Sequence, residues 1–134
     1  MADSTLVAMK GIIARLKATS DITDIVAQRI YSSIPQQEAF PYIEVEIESR
    51  DWSQQDDANM QHLVRVHCYS RTNSLEQAAT VTEKVYNSLN RQENSITIDT
   101  GSVVVIQFDG VKTTFKEQDG VTWHSVIEFN LIID

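Results

Sequence analysis

Cysteine is almost missing from this 134-residue chain: Cys68 stands alone, so no intrachain disulfide forms and no cysteine-rich zinc cage can be built. That usage fits a reducing compartment. Cys68 lies inside an apolar strand pattern, which reads as a buried small hydrophobe; a reactive thiol needs an open, electropositive setting. Basic residues are also scarce. Eleven Lys and Arg face 19 Asp and Glu for a net charge of −8, and no stretch gathers cations into a patch for phosphates. Tight nucleic-acid binding is thereby disfavoured, and the same carboxylates would be repelled by anionic lipid. No apolar run approaches the roughly 20 residues that span a bilayer. Met1 to Lys10 lacks the basic start, apolar middle and small-residue exit of a secretion signal, so a cytoplasmic setting is expected. The four glycines stand singly at 11, 101, 110 and 120, which excludes a glycine-rich phosphate loop.

What remains is ordinary globular material, 42% hydrophobic and 22% charged, enough for one core and a single domain over residues 1–134. No internal repeat or low-complexity tract interrupts it. Leu6, Met9, Ile13 and Leu16, widened by Ile12, predict an amphipathic helix after Asp3 and Ser4. Ser20 to Val26 predicts one or two further helical turns, ending near Gln28 and Arg29. Pro35 and Pro41 bracket an irregular passage, and Pro41 between two aromatics favours a cis bond more than most X–Pro pairs. In Tyr42 to Glu48, Ile43, Val45 and Ile47 alternate with Glu44, Glu46 and Glu48, the period of a strand with one buried and one wet face. Leu63 to Tyr69 predicts a second strand, antiparallel to the first, with Val64, Val66 and Cys68 on one side and Arg65 and His67 on the other.

Ser70 to Ser74 reads as a turn into the clearest helix, whose stripe is Leu75, Ala78, Ala79, Thr82, Val85, Tyr86 and Leu89. Ser74 and Gln77 have capping-box spacing. Ile96 and Ile98 suggest a short extra strand. Val103 to Phe108 and Val121 to Ile133 are the last strands, joined across Asp109 to Gly120. The closing strand carries Trp123, Ser125, Ile127, Phe129 and Leu131 on one face, with Val126 and Ile132 on the other, so it is central in a sheet or covered by a partner copy. The order of elements predicts an α+β fold: a mainly antiparallel sheet of about four to five strands with two helices packed on one face.

No catalytic constellation emerges. His62, His67, Cys68 and His124 are the only soft or borderline metal ligands, and His67 and Cys68 point to opposite faces, so all four read as isolated strand residues and no metal or cofactor is expected. Glu44, Glu46 and Glu48 could do acid–base work only if their surroundings separated their pKa values; a solvated face or a guard against edge pairing is the plainer reading, and in a ring the row could line the channel. Trp52 is either an interface anchor or a cap on the core. Binding and assembly are therefore expected, and enzymatic activity is not.

The landmarks taken together resemble a family, the small phage tail-completion proteins, also called tail terminators or head-to-tail joining proteins. The resemblance rests on the first helix, then Val26, Ala27, Gln28, Arg29, Ile30 and Tyr31, then Pro41, Tyr42 and Ile43 opening a strand. Val66, His67, Cys68, Tyr69 and Ser70 lead into the alanine-containing helix through Tyr86 and Leu89, and Trp123 to Ile133 closes the chain. Family members often carry glycine where Ala27 stands, and this chain departs from them there. The resemblance implies a ring, usually of six copies, that caps the tail tube and offers a docking face to the head connector, while DNA passes through without specific binding. It implies a virion-tail location after assembly in the host cytoplasm, with partners limited to other copies, the tail tube protein and the connector, and no membrane. Candidate interface residues are Glu44, Glu46 and Glu48, Trp52, Asp56 and Asp57 in the acidic Asp51–Asn59 loop, and Lys112 and Lys116 in the Asp109–Gly120 connection; both connections are expected to order on docking. The alternative is a small cytoplasmic protein-binding or regulatory module without catalytic activity.

Overall fold

The computed structural model describes residues 5–50 and 60–134. The Asp51–Asn59 loop, with Trp52, Asp56 and Asp57, lies outside the described residues. Helix α1 (Thr5–Lys17) buries Ala8, Gly11, Ile12 and Leu16. The expected stripe is displaced at its start, because Leu6 is 63% exposed. Ala8, Ile12 and Leu16 repeat every four residues, and Leu6 sits about 200° around the helix from Ala8. Helix α2 (Ser20–Val26) buries Ile22 and Val26, and its C-terminal N–H is closed by Ala27 donating to Thr23 O at 2.8 Å. The Phe40–Pro41 bond is cis.

Strand β1 (Ile30–Tyr31) runs parallel to β2 (Tyr42–Arg50), which pairs antiparallel with β3 (Met60–Ser70). Strand β1 went unpredicted because two residues carry no periodic signal. Beyond β3 lie β5 (Trp123–Ile133) and β4 (Val103–Lys116), giving the sheet order β1-β2-β3-β5-β4. The closing strand is central in the order, and its Val126 and Ile132 lie on the face opposite to the buried Ile127, Phe129 and Leu131. Helices α1, α2 and α3 (Glu76–Leu89) cover one face of the sheet, so the α+β architecture holds, with the brief α2 joining the two longer helices. Their apolar stripes meet Ile43, Val45, Val64, Val66, Cys68, Ile106, Ile127, Phe129 and Leu131 in one core.

Three local expectations are corrected. Ile96 and Ile98 do not form a strand: a 3-10 turn (Glu93–Ser95) precedes them, and Ile96 is buried in the core instead. The missing side chain of Gly11 explains this, since it lets α1 approach Thr97 O and Ile98 directly. Most of Asp109–Gly120 is strand, because β4 continues to Lys116. Gly110, at φ 97°, lies in the irregular register between Phe108 and Lys112, after which pairing resumes from Lys112 opposite Ile127 to Lys116 opposite Trp123. The capping box does not close either: Ser74 Oγ accepts from Glu76 N at 3.3 Å, while Gln77 Oε1 is taken by Ser70 Oγ at 2.6 Å.

Candidate assembly surfaces

Antiparallel pairing puts opposed residues on the same face, so register alone builds the face of the sheet away from the helices. Tyr42, Tyr69, His124 and Phe115 stand opposite one another across β2, β3, β5 and β4. Their rings form an unbroken row, with centroids 5.2 Å apart for Tyr42–Tyr69, 4.3 Å for Tyr69–His124 and 4.8 Å for Phe115–His124. Phe40 extends it at 4.9 Å from Tyr42, and the Arg71 guanidinium lies 4.3 Å above the Phe40 ring. Beside this row an open hollow of about 650 Å³ is lined by Tyr69, Arg71, Phe115, Glu117 and Asp119 among others. Burial, then the charge of Glu44, raises the Tyr69 hydroxyl to about 12.

One step along the strands the face turns acidic. Glu44, Glu46 and Glu48 all project here, as the alternation predicted. Arg65 serves three carboxylates, at 3.4 Å from Glu46, 3.7 Å from Glu48 and 3.4 Å from Glu128. His67, expected to be isolated, is not. Its Nε2 lies 2.9 Å from Glu46 Oε1, its Nδ1 lies 2.8 Å from His124 Nε2, and His124 Nδ1 lies 2.6 Å from Glu117 Oε1. This Glu–His–His–Glu chain was invisible in sequence because residues 57 apart meet only through the β3–β5 register. An N···N distance of 2.8 Å is a hydrogen bond and is too short for two imidazoles to share a tetrahedral ion at roughly 2.1 Å from each. Among the described residues no group of three His, Cys, Asp or Glu is arranged to hold a metal. Cys68 is buried, and that burial pushes its thiol up to about 12, the inert condition its strand position suggested.

Lys112 and Lys116 do not join the acidic row. Their partners on β5, Ile127 and Trp123, face the helices, so both lysines project from the opposite face of the sheet, where they are exposed. Lys116 Nζ sits 4.9 Å over the Trp123 ring. Strand β4 forms one margin of the sheet, and exposed Val104, Val111 and Phe115 lie along it, with Val121 in the following turn. Strand β2 forms most of the other margin, since β1 covers only Ile43 and Glu44. Among the described residues no helix is long and apolar enough to cross a membrane.

The family model described as tail completion protein gp17 matches residues 10–134. The chain belongs to that family. No curated protein sequence matches it. A chain in the solved structure titled "Virion of native gene transfer agent (GTA) particle" superposes with a TM-score of 0.84 at 15% identity, covering 97% of this chain and 98% of that one. At that identity the likeness establishes a shared fold. Membership in the tail completion protein gp17 family gives the chain a structural role in virion tail assembly and favours that reading over the regulatory module.

Proposed function

We propose that this tail completion protein closes the end of the tail tube as a ring of copies, six in number, and joins the finished tail to the head connector. The family match over residues 10–134 carries the reading. Three further features support it. The sheet has two different open margins, at β4 and at β2, and a contact between unlike surfaces of identical copies closes into a ring when its rotation allows. Exposed Val104, Val111 and Phe115 along one margin are the kind of apolar surface that contacts between copies cover. The net charge of −8 suits a channel through which DNA slides without sticking. In this reading the tail tube protein and the connector are the other partners, and the protein resides in the virion tail after assembly in the host cytoplasm.

Electron microscopy of particles made without this chain tests the proposal. Tails of uncontrolled length, or tails that never acquire heads, are expected. Headed tails of normal length, together with a purified protein that stays monomeric at every concentration, would defeat it.

A further inference from the structure

The outer margin of β4 is sealed at one end and bare at the other. Around Ile106 and Phe108 the 90–93 segment covers it: Arg91 N donates to Ile106 O at 2.8 Å, Ile106 N donates to Glu93 Oε2 at 3.1 Å, and Phe108 N donates to Asn90 Oδ1 at 2.9 Å. Past the irregular register this cover ends. Glu117 N donates inward to Thr122 O at 2.7 Å, so alternation turns the N–H and C=O of Lys112, Thr114 and Lys116 outward, where they meet no partner among the described residues. The margin of β2 is divided in the same way. Ile43 N donates outward to Arg29 O at 2.9 Å, so Ile47 and Ser49 turn their backbone groups to that side too, beyond the residues that β1 covers. Open edges of this kind are templates for another strand.

We infer that the bare end of β4 in one copy pairs with the bare end of β2 in the next, Thr114 opposite Ser49 and Lys116 opposite Ile47, so that the sheet continues around the ring. The inference rests on the ring reading above and names its contact. With the helices of both copies on one side, the strand directions make this pairing antiparallel. Each of the two residue pairs then exchanges two backbone hydrogen bonds and satisfies groups left open in the single copy. The covers fit this register. The 90–93 segment falls past the C-terminal end of the neighbour's β2, and the turn after Lys116 takes the chain away before it reaches the neighbour's β1. Charge decides against the two symmetric alternatives: β4 on its own twin would set Lys112 against Lys116 on one face, and β2 on its own twin would lay two glutamate-bearing strands side by side. The unlike pairing avoids both and is head-to-tail, as a ring requires. Apolar surface is exposed at each margin, Val111 and Phe115 along β4 and, beside β2, Leu6 next to Thr5, whose hydroxyl bonds that of Ser49.

Hydrogen exchange and a proline probe test the contact. In the assembled protein the amides of Thr114, Lys116, Ile47 and Ser49 should exchange about tenfold or more slowly than in the monomer, while those of Ile106 and Phe108, already bonded, should be protected in both. Lys116→Pro removes an N–H that the β4–β5 ladder does not use, and an edge strand tolerates proline at such a position, so the variant should keep the wild-type circular dichroism. It should weaken self-association about tenfold or more, read by sedimentation and by incorporation into tails, whereas Lys116→Ala, which keeps the N–H, should not. If Lys116→Pro unfolds, the exchange pattern of the wild type decides. Unchanged exchange at these amides in assembled protein, slowing on β4 without slowing on β2, or equal weakening by alanine and by proline would overturn the contact and leave the ring standing. A wild type that assembles neither in solution nor on tails would remove the ring reading itself, and this contact with it.

Discussion

The Nδ1 atom of His67 lies 2.8 Å from the Nε2 atom of His124, and a bond between those nitrogens needs one proton. His124 donates from Nδ1 to Glu117 Oε1, so in its neutral form Nε2 is the acceptor and His67 must donate to it. On its other side His67 Nε2 lies 2.9 Å from Glu46 Oε1. Burial lowers the His124 pKa below its ordinary 6.5; Glu117 opposes that, and the charge on His67 adds to it. The unfolded chain therefore takes up a proton at this site before the folded one as pH falls. Stability from this site is complete above about pH 6.5 and is lost as pH drops toward the folded value. Urea midpoints should fall between about pH 7.5 and pH 5.5, and fall less in His124→Gln. An equal fall in both proteins would sink the assignment.

Ala27 ends α2 at φ 56° and ψ −132°, a conformation that costs a side-chain-bearing residue about 1–3 kcal/mol. Glycine has no such cost and loses more freedom on folding, worth about 0.5–1 kcal/mol. Ala27→Gly should thus raise stability by about 1 kcal/mol in chemical denaturation. The reverse sign would show that the turn is unstrained.

At Gly11 the opposite substitution is expected to hurt. Alanine in a helix interior is ordinarily better than glycine by about 1 kcal/mol. Here a Cβ would fall 2.6 Å from Ile98 Cγ2 and 3.1 Å from the backbone oxygen of Thr97. Overpacking of this kind typically costs about 1–3 kcal/mol, so Gly11→Ala should lower the melting temperature despite the gain in propensity. A rise would mean that the 96–98 segment yields freely.

These two positions show what could be read from residues alone and what could not. Alternation in Tyr42–Glu48 and Leu63–Tyr69 fixed both strands, their faces and their pairing, because period two is written directly in side-chain polarity. The same logic missed the second half of β4. Asp109, Gly110, Lys112, Thr113 and Thr114 look like a loop, and only pairing with β5 past an irregular register makes them strand. Candidate surface residues fared likewise. Glu44, Glu46 and Glu48 were found by periodicity, but the placement of Lys112 on the other face depends on its register with Ile127. Arg65 and the pairing of His67 with His124 had no local signature, since each gains its partner through strands distant in sequence, whereas Glu117 meets His124 across the β4–β5 turn.

Asp119 ties the β4–β5 turn to the end of β3. One of its carboxylate oxygens accepts from Val121 N and Thr122 N, each at 2.9 Å, and the other accepts from Thr122 Oγ1 at 2.7 Å. Arg71 reaches Asp119 at 3.6 Å and donates to Thr122 Oγ1 at 2.9 Å. The Thr122 hydroxyl, then the backbone amides of Val121 and Thr122, hold the Asp119 carboxyl down to about 2 from its usual 3.8. The folded pKa is depressed, so stability from this site is present above about pH 3.8 and disappears as pH falls through 2. Asp119→Asn should be less stable than wild type at neutral pH, and the gap should narrow below about pH 3 as the wild-type carboxyl takes up its proton. The same variant releases one side of the Arg71 guanidinium that sits over Phe40, so protection of the amides in the 117–122 turn from hydrogen exchange should fall with it. A stability gap that stays constant from neutral pH to about pH 2 would show that the turn does not depend on the charge of Asp119.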